Sequence, residues 1–280
     1  MSKLTTNRYG KHKVRVLKVN RDEEHHEVCE LEADVMLSGD LEASYHSEDN
    51  SSIVPTDTVK NTVHVLAHDH LKTSRGAFAT VLGEHFLGKY GHLSEVEVEL
   101  RERRWKRMSL DDGLHPHSFV AEGNGCFYTK GCFSRGKNPE ISSGMRDHLI
   151  MNTTESGFIG YNQCDFTTLP PTTDRILATR LSAEWSLQDV ALPDIETERK
   201  VLDATYAVFA NNYSPSVQRT LLEIGEAVLE AAAEVKDILL RMPNVHYLGL
   251  DLNALGRLDQ QSVFLPTDEP HGQIEALVSR

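Results

Sequence analysis

No stretch of this chain approaches the roughly 18 consecutive apolar residues that a membrane-spanning helix needs. The amino terminus carries no apolar core ahead of a cleavage site, and the closing Val278-Ser279-Arg280 is not the Ser-Lys-Leu peroxisomal address. Cysteine is scarce: Cys29, Cys126, Cys132 and Cys164 form no CxxC pair or other metal-ligand spacing. Reduced thiols in a cytoplasm are therefore expected. Positive charge is also short, with 29 basic against 42 acidic residues and a net charge of -13. That balance argues against nucleic acid and against anionic membranes as partners. A small anionic substrate would need a local basic pocket. The 280 residues suit one large domain or two of roughly 140, enough to bury about two-thirds of the unfolded surface without a disulfide or metal staple.

What is present falls into a repeated order of elements. His12 to Val19 and Glu27 to Leu37 read as strands. From Asp57 the apolar positions Val59, Val63, Leu66 and Ala67 follow helical spacing, and from Thr73 so do Phe78, Val81, Leu82 and Phe86. Val96, Val98 and Leu100 then alternate with Glu95, Glu97 and Glu99, which predicts a half-buried antiparallel strand with an acidic outer face. A strand starting at His117 to Val120 is its expected neighbour, giving β-β-α-α-β-β. After a break at Ser134-Arg135-Gly136-Lys137-Asn138-Pro139 the order returns. Strands are predicted near Ile141 to Met151 and Arg175 to Leu187, and helices near Glu198 to Ala210 and Pro215 to Val235. Ser214 reads as the N-cap of the last helix with Pro215 at its first position, and Val217, Leu221, Ile224, Val228 and Ala232 as its buried stripe. Strands near Val245 to Leu252 and Ile274 to Val278 close the chain. The expected fold is α+β, two tandem units covering residues 1–136 and 137–280, each with antiparallel strands covered by helices.

Two short strings carry most of the chemistry. Pro55-Thr56-Asp57-Thr58-Val59-Lys60-Asn61 puts a hydroxyl and a carboxylate at a helix start. An ordinary cap explains them, and the same geometry also makes an oxyanion or heterocycle site from backbone amides plus a hydroxyl. In Pro243-Asn244-Val245-His246-Tyr247 the period of two places Asn244 and His246 on one sheet face, continued by Leu248 and Leu250. A core histidine with a satisfied hydrogen bond is the plainer alternative there. Lys11, after Tyr9-Gly10, reads from spacing alone as a solvated lysine.

Taken with Tyr9-Gly10-Lys11 and Asp174-Arg175-Ile176-Leu177-Ala178-Thr179, these strings resemble the signature blocks of the urate oxidase (uricase) family, in the family's order and approximate spacing from Tyr9 nearly to the C-terminus. The resemblance implies two tandem T-fold (tunnelling fold) units whose sheets join across subunits into a barrel, as a homotetramer. It implies a cofactor-free oxidation of urate by O2 and water to 5-hydroxyisourate and hydrogen peroxide. Residue by residue, Lys11, Thr56 and His246 match a catalytic relay, and Phe158, within Ser156-Gly157-Phe158-Ile159-Gly160-Tyr161, matches the platform on which the purine stacks. Arg175 and Gln218 match the clamp on one edge of urate, Asn244 the residue facing O2 or water, and Asp57 and Val217 neighbours that bind through the backbone. The segment Leu149-Ile150-Met151-Asn152-Thr153-Thr154 departs from the family's usual Leu-Lys-Ser-Thr wording.

Two other classes compete. The 14 histidines invite a zinc-dependent hydrolase or cyclohydrolase, and His64 and His68 do share a helical face, although no HExxH is present. A non-catalytic purine-binding protein is the other reading. It sits poorly with Lys11, Thr56 and His246 all being in place.

Overall fold

Leu31, Ala33, Val35 and Leu37 alternate with Glu32, Asp34 and Met36 and are all buried, as a strand lining a core on one face requires. The computed structural model describes residues 3–21, 23–72, 74–111, 113–188, 194–257, 262–267 and 269–280. The chain packs into two units, Met1–Gly144 with Ser186–Glu196 and Met145–Trp185 with Thr197–Arg280.

The first unit opens with β1 (Tyr9–Asn20), β2 (Glu27–Gly39), the short α1 (Glu42–His46), α2 (Thr56–His70), α3 (Arg75–Lys89) and β3 (Leu93–Arg103). A hairpin follows, β4 (Trp105–Leu110) and β5 (Gly113–Ala121), and then β6 (Cys126–Ser134). The antiparallel sheet runs β1-β2-β3-β6. Val59 and Val63 of α2 and Phe78, Leu82 and Phe86 of α3 cover its apolar face in one buried cluster with Val35, Val96 and Leu100. Each such side chain contributes about 1.5–3 kcal/mol of burial. The stripe predicted from Thr73 forms α3. Thr73 itself lies outside the described residues, and the helix starts at Arg75 with the Ser74 hydroxyl accepting the Ala77 N–H.

One expectation is corrected here. The strand beginning near His117 does not neighbour β3; it is β5, paired only with β4 in a separate two-stranded sheet. The fourth strand of the unit is β6, aligned from Glu95 opposite Ser134 to Glu102 opposite Phe127. The hairpin is an insertion between paired strands, and strand pattern alone does not say which of two candidates pairs at long range.

The second unit contains most of β7 (Glu140–Asn152), β8 (Leu177–Leu187), α4 (Asp194–Asn211), α5 (Val217–Ala231), β9 (Val235–Arg241), β10 (Asn244–Gly249), β11 (Phe264–Thr267) and β12 (Glu275–Ser279). β7 lies beside β8, and β9 and β10 both pair with β8, interrupted at Met242-Pro243 where proline has no ladder donor. β12 pairs with β9 and β11 with β10. The predicted stripe of α5 is buried throughout, from Val217 to Ala232.

Its ends differ from expectation. The cap is Ser216, whose hydroxyl accepts the Arg219 N–H at 3.2 Å, not Ser214, and Pro215 precedes the cap rather than starting the helix. The helix stops at Ala231, and Val235 begins β9, a strand that the helical reading had absorbed. Arg175 lies two residues before β8 instead of inside it.

Candidate active site

In the first unit, the sequence places a phenol two residues before a lysine, and the fold uses it as a tether. The Tyr9 hydroxyl accepts the Val54 N–H at 2.6 Å, fastening the start of β1 to the segment that leads into α2. Burial pushes the Tyr9 phenol above its ordinary pKa, so it stays protonated. Beside it a Cβ on Gly10 would lie 1.9 Å from the Val35 carbonyl oxygen, so only glycine lets the strands approach this closely. Lys11 sits opposite Val35, just before a bulge that ends at Val14. Within the bulge Lys13 adopts φ 58°, and its N–H donates to Asp34 Oδ1 at 2.7 Å. A bulge redirects side chains locally, here next to the lysine.

Thr56 is the first residue of α2, after Pro55 at the cap position, and no side chain caps this start. The capping explanation of Thr56 and Asp57 is thereby set aside. The first-turn N–H groups are left for an incoming acceptor, with the helix dipole favouring an anion. Both residues are exposed. The Asp57 carboxylate is engaged by Lys60 at 2.5 Å and Asn61 at 3.0 Å. It is held below its ordinary pKa by the Lys60 hydrogen bond first, with the charge of Lys11 adding to the effect. The structure therefore brings Lys11, Thr56 and Asp57 together.

In the second unit, a strip around Phe158 is bonded on both sides. Phe158 N–H donates to the Thr172 carbonyl at 2.7 Å and Thr172 N–H returns to Phe158 at 3.1 Å, while Gly157 N–H donates to Ser214 at 2.8 Å. A Cβ on Gly157 would lie 2.2 Å from the Tyr213 hydroxyl and 3.1 Å from the Thr172 carbonyl oxygen, so any larger residue here would have to displace Tyr213. Tyr161 stacks on Phe158 with centroids 4.8 Å apart and planes 11° from parallel. Asp174 accepts from the Thr154 hydroxyl at 2.9 Å and from the Glu155 N–H at 3.0 Å, which anchors the loop ahead of Arg175. Sequence reasoning missed the supporting roles of Tyr161, Asp174 and Tyr213. Tyr161 and Asp174 stood inside the quoted blocks, and what they bond to is decided by folding.

The Arg175 guanidinium carbon lies 5.5 Å from the Phe158 ring centroid. Its Nε is buried and has no hydrogen-bond partner among the described residues. Desolvation lowers the pKa of Arg175, opposed only by Tyr213. A buried guanidinium N–H without an acceptor is costly unless a ligand supplies one. Arg175 also lines a cavity of about 410 Å³ with Asn244 and His246, which the period of two had placed together. Their strand continues through Leu248 to Gly249, with Leu250 just past its end, and both leucines are exposed. Val217 and Gln218 begin α5, just after Ser214, the partner of Gly157. Neither lines that cavity; Val217 is buried and Gln218 is exposed.

The competing zinc ligands do not assemble. The His68 Nδ1 is engaged by Asp69 at 2.7 Å, and among the described residues no three His, Cys, Asp or Glu side chains are placed to hold a metal ion.

Phe158 is not part of the cavity's lining, so Arg175 links two features, the aromatic face and the cavity that Asn244 and His246 line, and such a set suits a planar, polar, anionic ring. The comparisons agree. The uricase family model matches residues 7–129 and 141–275. The uricase of Cyberlindnera jadinii is 37% identical over 99% of this chain and 97% of its own length, and that of Oryctolagus cuniculus 36% over 97% and 93%. The solved structure of uricase from Arthrobacter globiformis superposes with a TM-score of 0.94 at 33% identity, covering 100% of this chain and 96% of that one. The urate oxidase of Bacillus sp. TB-90, 18% identical with a TM-score of 0.88, shares the fold. With a family match on both sides of the central break and relatives above 30% identity along nearly its whole length, the chain belongs to the uricase family.

Proposed function

We propose that this chain, a urate oxidase by family, performs the oxidation with Lys11, Thr56 and His246 as its proton relay and with Phe158, Arg175 and Gln218 as its grip on urate. The observation that carries this reading is the buried, unpartnered Nε of Arg175 beside Phe158. Urate stacks on Phe158 while Arg175 and Gln218 donate to its oxygens and ring nitrogens. The backbone groups of Asp57 and Val217 hold its other edges. Lys11 takes a proton from urate through the Thr56 hydroxyl, leaving an electron-rich ring that reduces O2 to a peroxide adduct. Water then replaces peroxide, so that urate, O2 and water give 5-hydroxyisourate and hydrogen peroxide. Asn244 orients the oxygen species and His246 passes protons. No metal or organic cofactor enters this scheme.

In this reading the two family matches, either side of residues 134–139, correspond to tandem T-fold units 1–136 and 137–280. Four chains assemble with their sheets joined into barrels, each site lying at a subunit interface with residues from two chains, and the enzyme works in the cytoplasm. The test is loss of urate absorbance with matched oxygen uptake after exhaustive chelation. Turnover abolished by chelation and restored by one metal would replace this reading with metal catalysis. Analogue binding without any turnover would leave a purine-binding protein.

A further inference from the structure

A separate pocket of about 890 Å³ lies in the first unit, where the end of β1, the start of β2, the end of α2 and the β4–β5 hairpin meet. It shares no lining residue with Lys11, Thr56 or Asp57. Its volume falls in the range of small-molecule sites, about 300–1,000 Å³. On a chain of net charge -13, its wall among the described residues carries Lys18, Arg21, Lys72 and Arg107 and one carboxylate, Glu27.

These cations are oriented but not neutralised. Lys18 Nζ donates to the carbonyls of Ala67 and His68 in the last turn of α2, at 3.3 and 2.8 Å, which leaves one of its three donors available. Arg107 donates to the carbonyls of His26, His115 and Pro116, which are uncharged partners, so it holds the hairpin. Arg21 and Lys72 are exposed at the rim. Among the described residues none of the four shares an ion pair with a carboxylate. The aromatic walls are equally fixed. The Trp105 indole N–H donates to Glu30 at 2.9 Å, and the Phe119 ring lies 4.9 Å from the Arg107 guanidinium carbon.

We propose that this pocket is a second ligand site that takes a planar aromatic monophosphate of nucleotide size. Trp105 and Phe119 cover the ring, and Lys18, Arg21 and Lys72 receive the phosphate. A phosphate carries about -1.5 to -2 charge at neutral pH, which suits a wall with three such cations better than a single carboxylate does. The inference stands apart from the urate site, because no residue assigned to that site lines this pocket.

The test is calorimetric titration of the intact protein with guanosine monophosphate, guanosine and inorganic phosphate at low and moderate salt. The nucleotide should bind saturably, once per chain, at least about tenfold more tightly than either fragment, and more weakly as salt rises. Arg21→Ala with Lys72→Ala should weaken it by about tenfold or more while urate turnover is kept. Trp105→Phe should abolish the change in tryptophan emission on binding, since the other tryptophan, Trp185, is fully buried in the second unit. Arg175→Ala should leave nucleotide affinity unchanged. The proposal fails if the nucleotide gives no saturable heat, if the double variant binds it as well as the parent, or if Arg175→Ala abolishes binding, which would put the nucleotide in the urate site.

Discussion

Two partly buried arginines, Arg101 in the first unit and Arg175 in the second, face opposite situations. Arg101 is met by Asp34 at 2.8 Å, Glu99 at 2.9 Å and Glu32 at 3.0 Å. Burial alone would lower its pKa, and the hydrogen bonds to these carboxylates reverse that and raise it. Arg175 has the burial without carboxylates among the described residues, so its pKa is lowered and its Nε has no acceptor among them. A charge fully met by the protein locks β-strands together; one left short of partners is held ready for something else. Lys11 resembles Arg175 in this respect, with no ion pair among the described residues, whereas Asp57 close by is already engaged by Lys60.

If groups without partners do the chemistry and satisfied ones hold the fold, Lys11→Met and Thr56→Ala should show the largest effect. Turnover of urate should fall by roughly 10²- to 10⁴-fold, the usual contribution of a positioned proton acceptor. Binding of an unreactive xanthine analogue should change far less. Near-parental turnover in both variants would remove the relay.

Next in size, Arg175→Ala should weaken binding of the same analogue by about 1.5–3 kcal/mol, roughly 10- to 150-fold, because a charged hydrogen bond is lost. Arg101→Ala should leave analogue affinity within about twofold and instead lower the unfolding midpoint, since Asp34, Glu32 and Glu99 are then left facing one another. The comparison breaks if the two variants exchange phenotypes.

A partial effect is expected from mixing. Lys11 belongs to the first unit and Arg175 to the second, so inactive Lys11→Met and Arg175→Ala chains refolded together should recover some activity if a site draws on two chains. Verified mixed oligomers with no recovery, each variant being folded, would mean that one chain builds the whole site.

The smallest effect concerns acid stability. Burial would raise the pKa of Asp34, yet the Lys13 N–H and Arg101 hold it below the ordinary carboxylate value. A depressed folded pKa contributes stability above the unfolded value, near 3.9, that is lost as pH falls through the folded one. Asp34→Asn should therefore lower stability at neutral pH and flatten its fall below about pH 4, measured by denaturant unfolding across pH. An unchanged acid limb would show that Asp34 carries none of it.

Much of this was readable in the chain. Burial periodicity located α2, α3 and the stripe of α5 because a helix must hide one face, and the same period of two that marked β3 placed Asn244 and His246 on one face. Local chemistry sufficed for these, since each depends on residues within a turn or a strand of one another.

The remainder depended on partners distant in sequence. Strand pairing chose β6 over β5 as the neighbour of β3, a choice between two plausible strands that only long-range hydrogen bonds make. The cap of α5 moved from Ser214 to Ser216 because the Ser214 backbone is bonded to Gly157 and Glu155 instead. The contrast between Arg101 and Arg175 is of the same kind. Both are arginines in polar surroundings along the chain, and the field each one feels comes from which side chains packing brings, or fails to bring, within a few ångströms.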